Sequence, residues 1–538
     1  MSESRKIVKS TLVVSAATMV SRVLGYLRDM LLFQYFDKTS MDAFVAAFRL
    51  PNLMRRLLGE GALSVSFIPI FTDHLHNKSK EQTKEFVAAC FTFLSIVLVM
   101  LTLLVVIFSR PITEFLAMGP AFAGIPQKYE LAAKMLMIMF PYLCFISLVA
   151  LAMGILNSVK HFFAPAFAPV FLNLFMIAAI LYFQNKMDYP IISVAWAVFF
   201  SGLAQVFLQI PWLIKKGYLP RINFDWHNPG LRRVTKLMLP AILGLSSVQI
   251  SVLMIQEFAS YLPYEGAVSY LYLGNRLTEL PLGVFAVAIG TALLPNLSSH
   301  AITKNHIAFK KNFIQAINGV SFISWPSMAG FIILGEPLIK FMFERGKFTS
   351  SETHATALAL IYYSVGLWAG CLLRVLVPAF YALQNTFIPA LTSFICLGFN
   401  AVFCYFLIKP LAHGGLALAT SLTAFLQVLI LFIYFHRKYL KFSLKELLIP
   451  QLKLCVATVV MSVALLTAQL YFSQRVGGSI LWESIYLSSL ILLSMLVYGA
   501  VSYFVGFSEL TLLLRMVFKR KQSGASTLTK SVVMTDKE

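Results

Sequence analysis

Long apolar runs separated by short polar breaks fill nearly the whole chain. They fall roughly at 8–36, 41–73, 84–109, 129–157, 162–184, 190–214, 232–261, 265–297, 309–334, 354–382, 387–408, 414–436, 449–472 and 480–506. A helix of about 20 apolar residues crosses a hydrocarbon core about 30 Å thick, so each run is long enough to span. The pattern predicts an all-α polytopic membrane protein with 14 transmembrane helices.

The polar breaks support that count, because Lys and Arg collect on alternate ones, as cytoplasmic loops require. One side carries the N-terminus, Lys78, Lys80, Lys84, Lys160, Lys215, Lys216, Arg221, Arg232, Arg233, Lys236, Lys304, Lys310, Lys311, Arg437, Lys438, Lys441, Lys445 and Lys519–Lys521. The other carries fewer, among them Lys38, Arg110, Lys128, Lys186, Arg345, Lys347, Lys409 and Arg475. Both termini are therefore expected in the cytoplasm. The longest basic loop, KKGYLPRINFDWHNPGLRRVTK, marks a seam between two six-helix lobes, at 1–225 and 226–445. A pair of added helices follows at 446–518, then a polar tail at 519–538. Across the seam runs a faint repeat: the second run ends SFIPIFTDH and the eighth ALLPNLSSH, each with arginine upstream. Parallel repeats of this kind are known in transporters.

Charge inside the apolar runs changes the picture from scaffold to transporter. Ser21 to Glu60 holds Arg22, Arg28, Asp29, Asp42, Arg49, Arg55, Arg56 and Glu60. A charge at the bilayer centre costs about 3 kcal/mol on insertion scales, so such residues face a wet cavity, each other or a charged ligand. Arg22 and Asp29, seven apart, share a helix face, with Gly25 between them. Arg49, Asn52, Arg56 and Glu60 form one stripe at spacings of 3, 4 and 4, with Arg55 beside it and a kink expected at Pro51. Structural pairing of Arg28 or Arg56 with Asp29 or Glu60 accounts for part of the set, but the positive surplus points to an anion site. Arginine suits phosphate, which its planar fork binds bidentately at any relevant pH. In the eighth run Arg276 either neutralises Glu279 or joins the anion site; Arg374 is a further intramembrane cation.

Composition agrees: 59% of the 538 residues are hydrophobic and only 12% charged. The net charge of +21 has no separate basic domain to carry it, which argues against a nucleic-acid partner and for loops held at an anionic leaflet. The six cysteines are scattered in apolar runs and read as small core residues. The basic, then apolar, N-terminus imitates a signal peptide, but its apolar run continues past Arg22 and reads as a retained first helix. No Walker A loop, HExxH or GxSxG is present, so neither an enzyme nor an ATP-driven pump is expected.

The stretches SRVLGYLRD, DAFVAAFRLPNLMRRLLGEGALSVSFIPIF, NRLTELPLGVFAVAIGTALLPNLS, GKFT and VLVPAFYA closely resemble the MurJ (MviN) lipid II flippases of the multidrug/oligosaccharidyl-lipid/polysaccharide superfamily. The resemblance covers about the first 520 residues. It implies two six-helix lobes in a V, two further helices that form a groove for a lipid tail, and alternating access in an inner membrane. The implied substrate is lipid II, carried from the cytoplasmic to the outer leaflet; membrane lipids and other cell-wall synthesis proteins are the implied partners. It puts cavity arginines at Arg22, Arg28, Arg55 and Arg276, acidic positions at Asp29, Asp42 and Glu60 and a basic position at Arg49; Asn52, Arg56, Glu279 and Arg374 join the supporting or gating groups on their place in the charge pattern alone. Asn275 departs from the acidic residue frequent before the eighth-run arginine. No cofactor or metal is expected, and whether a coupling ion (Na+ or H+) takes part stays open. The rivals are a flippase for another undecaprenyl-linked glycan, a multidrug exporter, and a non-transporting scaffold or enzyme of cell-wall assembly.

Overall fold

A computed structural model describes residues 3–441, 443–473 and 480–507. Among them every regular element is helical. The helices are α1 (Glu3–Tyr35), α2 (Lys38–Met54), α3 (Ser64–Asn77), α4 (Lys80–Ile107), α5 (Ser109–Leu116), α6 (Pro120–Ala123), α7 (Pro126–Met139), α8 (Tyr142–Ser158), α9 (Phe163–Phe183) and α10 (Ile191–Lys216). They continue as α11 (Pro229–Ser260), α12 (Ala267–Pro281), α13 (Val287–Ile302), α14 (His306–Phe343), α15 (Ser350–Val365), α16 (Leu367–Ala382), α17 (Phe387–Lys438), α18 (Leu444–Ser473) and α19 (Ile480–Phe504). The tail beyond 507 lies outside the described residues.

Eight of the described helices are long and apolar enough to cross a membrane, or nine if α15 and α16, bent by 42°, count as one span. The expected runs at 387–408 and 414–436 appear as the single element α17, broken at Ala412, whose φ of 49° leaves the helical region. The helical stretches outside that set, α1, α2 to α3, α11 and α12 to α13, include those with the intramembrane charges.

Two stretches share an unusual break. After Pro51, residues Arg55–Leu63 wind as π-helix between α2 and α3. After Pro281, residues Leu282–Ala286 do the same between α12 and α13. Each following helix contains one proline, Pro69 and Pro295. These are the two stretches that the faint sequence repeat pairs. The π-helical turn is wider than an α-turn, so the expected α-periodic stripe from Arg49 to Glu60 loses its register after Met54.

The chain divides into two compact units. One comprises Met1–Tyr272, Met342–Thr353 and Cys404–Leu416. Its core includes the stacked rings of Phe67, Phe71 and Phe86, all nearly fully buried. The other comprises Leu273–Phe341, His354–Phe403 and Ala417–Glu538. Phe309, Phe313, Phe380 and Phe435 centre its core, where α13, α14, α16 and the end of α17 meet. Within it α18 and α19 dock on α14 through Leu454, Ala457, Met461 and Tyr498 against Phe322, Trp325 and Ala329. Gln451 ties the same helices, accepting from the Trp325 indole at 3.1 Å and donating to Asn318 at 3.3 Å.

Candidate functional site

In the first unit, the charges predicted on α1 are paired inside the protein. Asp29 is fully buried and Arg28 only 6% exposed. Arg28 donates to the Asp29 carboxylate through Nε at 3.0 Å and Nη2 at 2.5 Å, and through Nη1 to Asn173 of α9 at 3.1 Å. Asn173 in turn donates to the Ser21 carbonyl at 2.9 Å. The network satisfies a guanidinium that would be costly to bury alone. Of the two readings open at Arg28, structural pairing is present in this arrangement.

The arginines of α2 and the π-helical turn are half-buried, as is Arg22. Arg55 donates twice to Asn52 Oδ1, at 3.2 and 3.0 Å, and Arg49 reaches the Val252 carbonyl of α11 at 3.4 Å. Arg56 lies beside Arg55 on the π-helical turn, which also contains the backbone of Glu60. The Glu60 side chain lies outside the described residues. In the second unit Arg276 sits 3.4 Å from Glu279, both about one-third exposed. Arg374, on α16, is exposed, and its carbonyl abuts Gly290 of α13 so closely that a Cβ there would lie 2.3 Å away.

A second buried cluster forms around Asp42, whose partner has no local signal in the sequence. Lys128, expected as a loop cation, is fully buried. Its ammonium lies 3.0 Å from Asp42, 3.4 Å from Glu265 and 4.4 Å above the Phe122 ring. Asp42 also accepts from the Gly266 and Ser269 backbone N–H groups, at 2.8 and 3.0 Å, and from the Ser269 hydroxyl at 2.6 Å. It thus caps the first turn of α12 from another element. Thr39 donates to Glu265 at 2.9 Å. Gly266 adopts φ +92°, and a side chain there would strike the Tyr270 ring.

The motif GKFT packs on the same unit. Lys347 N–H donates to the Gln34 carbonyl at 2.9 Å, and the rings of Phe343 and Phe348 meet Phe33 edge-on. Lys38 pairs with Glu352 at 3.4 Å. Nearby, the Tyr264 hydroxyl lies 2.7 Å from His413 Nδ1, one residue after the strained Ala412. Glu257, the single acid of α11, accepts the Met118 N–H at 3.2 Å. Among the described residues no three His, Cys, Asp or Glu side chains group as metal ligands.

Long apolar helices that carry buried arginine–aspartate and lysine–aspartate pairs define a polytopic membrane protein. The fold is that of the multidrug/oligosaccharidyl-lipid/polysaccharide superfamily. The chain superposes with TM-score 0.64 on an inward-facing multidrug resistance MATE transporter of that superfamily, at 15% identity over 79% of this chain and 97% of that one. With TM-score 0.77 it superposes on a solved structure titled lipid II flippase MurJ, inward closed conformation, at 27% identity over 92% of this chain and 98% of that one. The family model described as lipid II flippase MurJ matches residues 34–486. A probable lipid II flippase MurJ of Vibrio cholerae is 37% identical, covering 80% of this chain and 83% of its own. One of Bdellovibrio bacteriovorus is 33% identical over 95% and 97%. The chain belongs to the lipid II flippase MurJ family, and is a multi-pass inner-membrane transporter rather than an enzyme.

Proposed function

We propose that this chain flips lipid II, the undecaprenyl-diphosphate-linked peptidoglycan precursor, from the cytoplasmic to the outer leaflet by alternating access, without ATP hydrolysis. The observation that carries the reading is the run of arginines from Arg22 to Arg56 in helices of a chain of this family. Fourteen crossings with both termini cytoplasmic match the alternation of basic loops. They divide into lobes 1–225 and 226–445, and the pair at 446–518 supplies a groove for the polyprenyl tail. Membrane lipids and other cell-wall synthesis proteins are the accompanying partners.

In this reading Arg22, Arg28, Arg55 and Arg276 form the diphosphate-binding set. Arg28 reaches that role by exchanging the Asp29 carboxylate for a phosphate oxygen; both are anionic acceptors for the same fork of donors. Asp29, Asn52, Glu60 and Glu279 hold arginines in place between loads, and Asp42 acts as a gating charge with Lys128. Arg49, Arg56 and Arg374 add positive potential. No cofactor is called for, and the driving force is an ion gradient (Na+ or H+), the membrane potential or the substrate's own gradient.

The test is rescue of a bacterial host depleted of its own flippase, with outer-leaflet lipid II measured directly. Wild type restores it, and Arg55→Ala and Arg276→Ala at equal membrane abundance do not. A well-inserted wild type that restores no lipid II, yet supports export of another undecaprenyl-linked glycan, overturns the substrate assignment.

A further inference from the structure

The longest basic loop, residues 217–228, is not a slack tether. Gly217, at φ +77°, closes α10, and the Tyr218 N–H returns to the Leu213 carbonyl at 3.0 Å. The Tyr218 ring meets Phe71 edge-on at 5.6 Å. In the middle, Asn223 N–H donates to Thr92 Oγ1 at 2.9 Å, and Trp226 meets Phe93 at 5.9 Å. At the far end, Asn228 caps α11 through the N–H groups of Gly230 and Leu231. Gly230 fits so tightly against Phe86 that a Cβ would lie 2.5 Å from its ring. The strap is fastened at both ends and in the centre.

What it presents is apolar. Ile222 is 74% exposed, Phe224 62% and Trp226 42%. Fixed aromatic groups turned outward on a fastened segment need a non-aqueous neighbour. Their depth identifies it. The last charged residues at the basic end of α4 are Lys84 and Glu85, and no charge follows until Arg110. Thr92 lies seven residues past Glu85, roughly 10 Å along the helix. The strap therefore crosses α4 inside its uncharged span, at the depth where interfacial segments bury their apolar side. Around it stand exposed cations, Lys215, Lys216, Arg221, Arg232 and Arg233, against Asp225 in the strap and Asp73, which pairs with Arg233 at 3.5 Å. A side chain added at Gly217 would meet the Lys80 ammonium at 3.4 Å, which brings in a sixth.

We propose that residues 217–228 form a monotopic wedge in the cytoplasmic leaflet. Ile222, Phe224 and Trp226 enter the acyl region, and Lys215, Lys216 and Arg221 bind the phosphate of an anionic phospholipid beside it. The inference rests on the basic side facing the cytoplasm, not on which lipid is flipped.

The test uses the full chain in vesicles of phosphatidylcholine with and without phosphatidylglycerol. The Trp226 share of fluorescence is obtained by subtracting a Trp226→Phe variant. It is quenched by acyl-brominated lipid and spared by aqueous iodide; Ile222→Trp in the Trp226→Phe background reports the same as an independent probe. Phosphatidylglycerol retained by the purified protein, read by native mass spectrometry, falls roughly fivefold for each cation removed among Lys215→Gln, Lys216→Gln and Arg221→Gln. Quenching of both probes by iodide alone overturns the wedge. Retention of an undecaprenyl diphosphate but not phosphatidylglycerol by the same cations overturns the phospholipid assignment. Either result, in a chain that still rescues flippase depletion, leaves the transport reading standing.

Discussion

The two π-broken stretches, 38–77 and 267–302, use one device for different loads. Both wind through a proline, a π-helical turn and a second proline. The first has its turn built from RRLLGEGAL and the second from LGVFA. The first also carries Asp42, sealed by Lys128 at no measurable exposure, and the neighbouring α1 carries Arg28 with Asp29. The second carries Arg276 and Glu279, one-third exposed and 3.4 Å apart. A π-turn sets an irregular helix in both; the partners packed around each stretch decide whether its charge is locked in or left within reach of water. Locked charge is costly to disturb, and accessible charge is not.

That contrast breaks most sharply at Lys128. Lys128→Met strands the buried Asp42 carboxylate, and we expect a loss of about 3 to 5 kcal/mol, read as a large drop in melting temperature in detergent. Lys128→Met with Asp42→Asn should recover most of it. An unchanged melting temperature for the single variant would mean that Asp42 is supported without its lysine.

Arg28→Ala comes next. It removes the fork from Asp29 and should cost about 3 kcal/mol as well as lipid II flipping. Adding Asp29→Asn restores stability without restoring flipping. If the double variant flips, Arg28 is structural only and leaves the diphosphate set. Arg276→Ala inverts that outcome: flipping is lost while stability changes by less than about 1 kcal/mol. A melting temperature as low as that of Arg28→Ala would erase the distinction between the two stretches. The smallest effect belongs to Glu279→Gln, with stability within about 0.5 kcal/mol of wild type and only a slowed rate of flipping.

Much of this was legible in the sequence, because hydropathy and loop charge report the solvent around each segment. The apolar runs recur as helices at nearly the expected positions, and the pairing of the second run with the eighth now has a shared π-turn beside it. Pairing of Arg28 with Asp29 is one of the two readings that the charge pattern offers. Lys128 departs from its expected place in a loop for a physical reason: it abuts an apolar run, where a loop cation looks the same as a buried one. Its partners, Asp42 and Glu265, lie 86 and 137 residues away, and nothing local announces them. The π-turns are also silent, since Pro51 forecasts a kink but not the wider winding that follows. At Ala412 the signal misleads, because glycines stand at 414 and 415 while the positive φ falls on an alanine.

Asp42 gives α12 a removable end. A helix normally carries its own cap in the residue just before it, so its first turn is intact wherever the helix goes. The first turn of α12 is instead completed by a carboxylate 224 residues upstream, bonded to the Gly266 and Ser269 amides. Should α2 withdraw by more than a hydrogen-bond length, those amides must find water or unwind. The length of one helix is thus conditional on the position of another, and a sliding motion in the first becomes a folding event in the second.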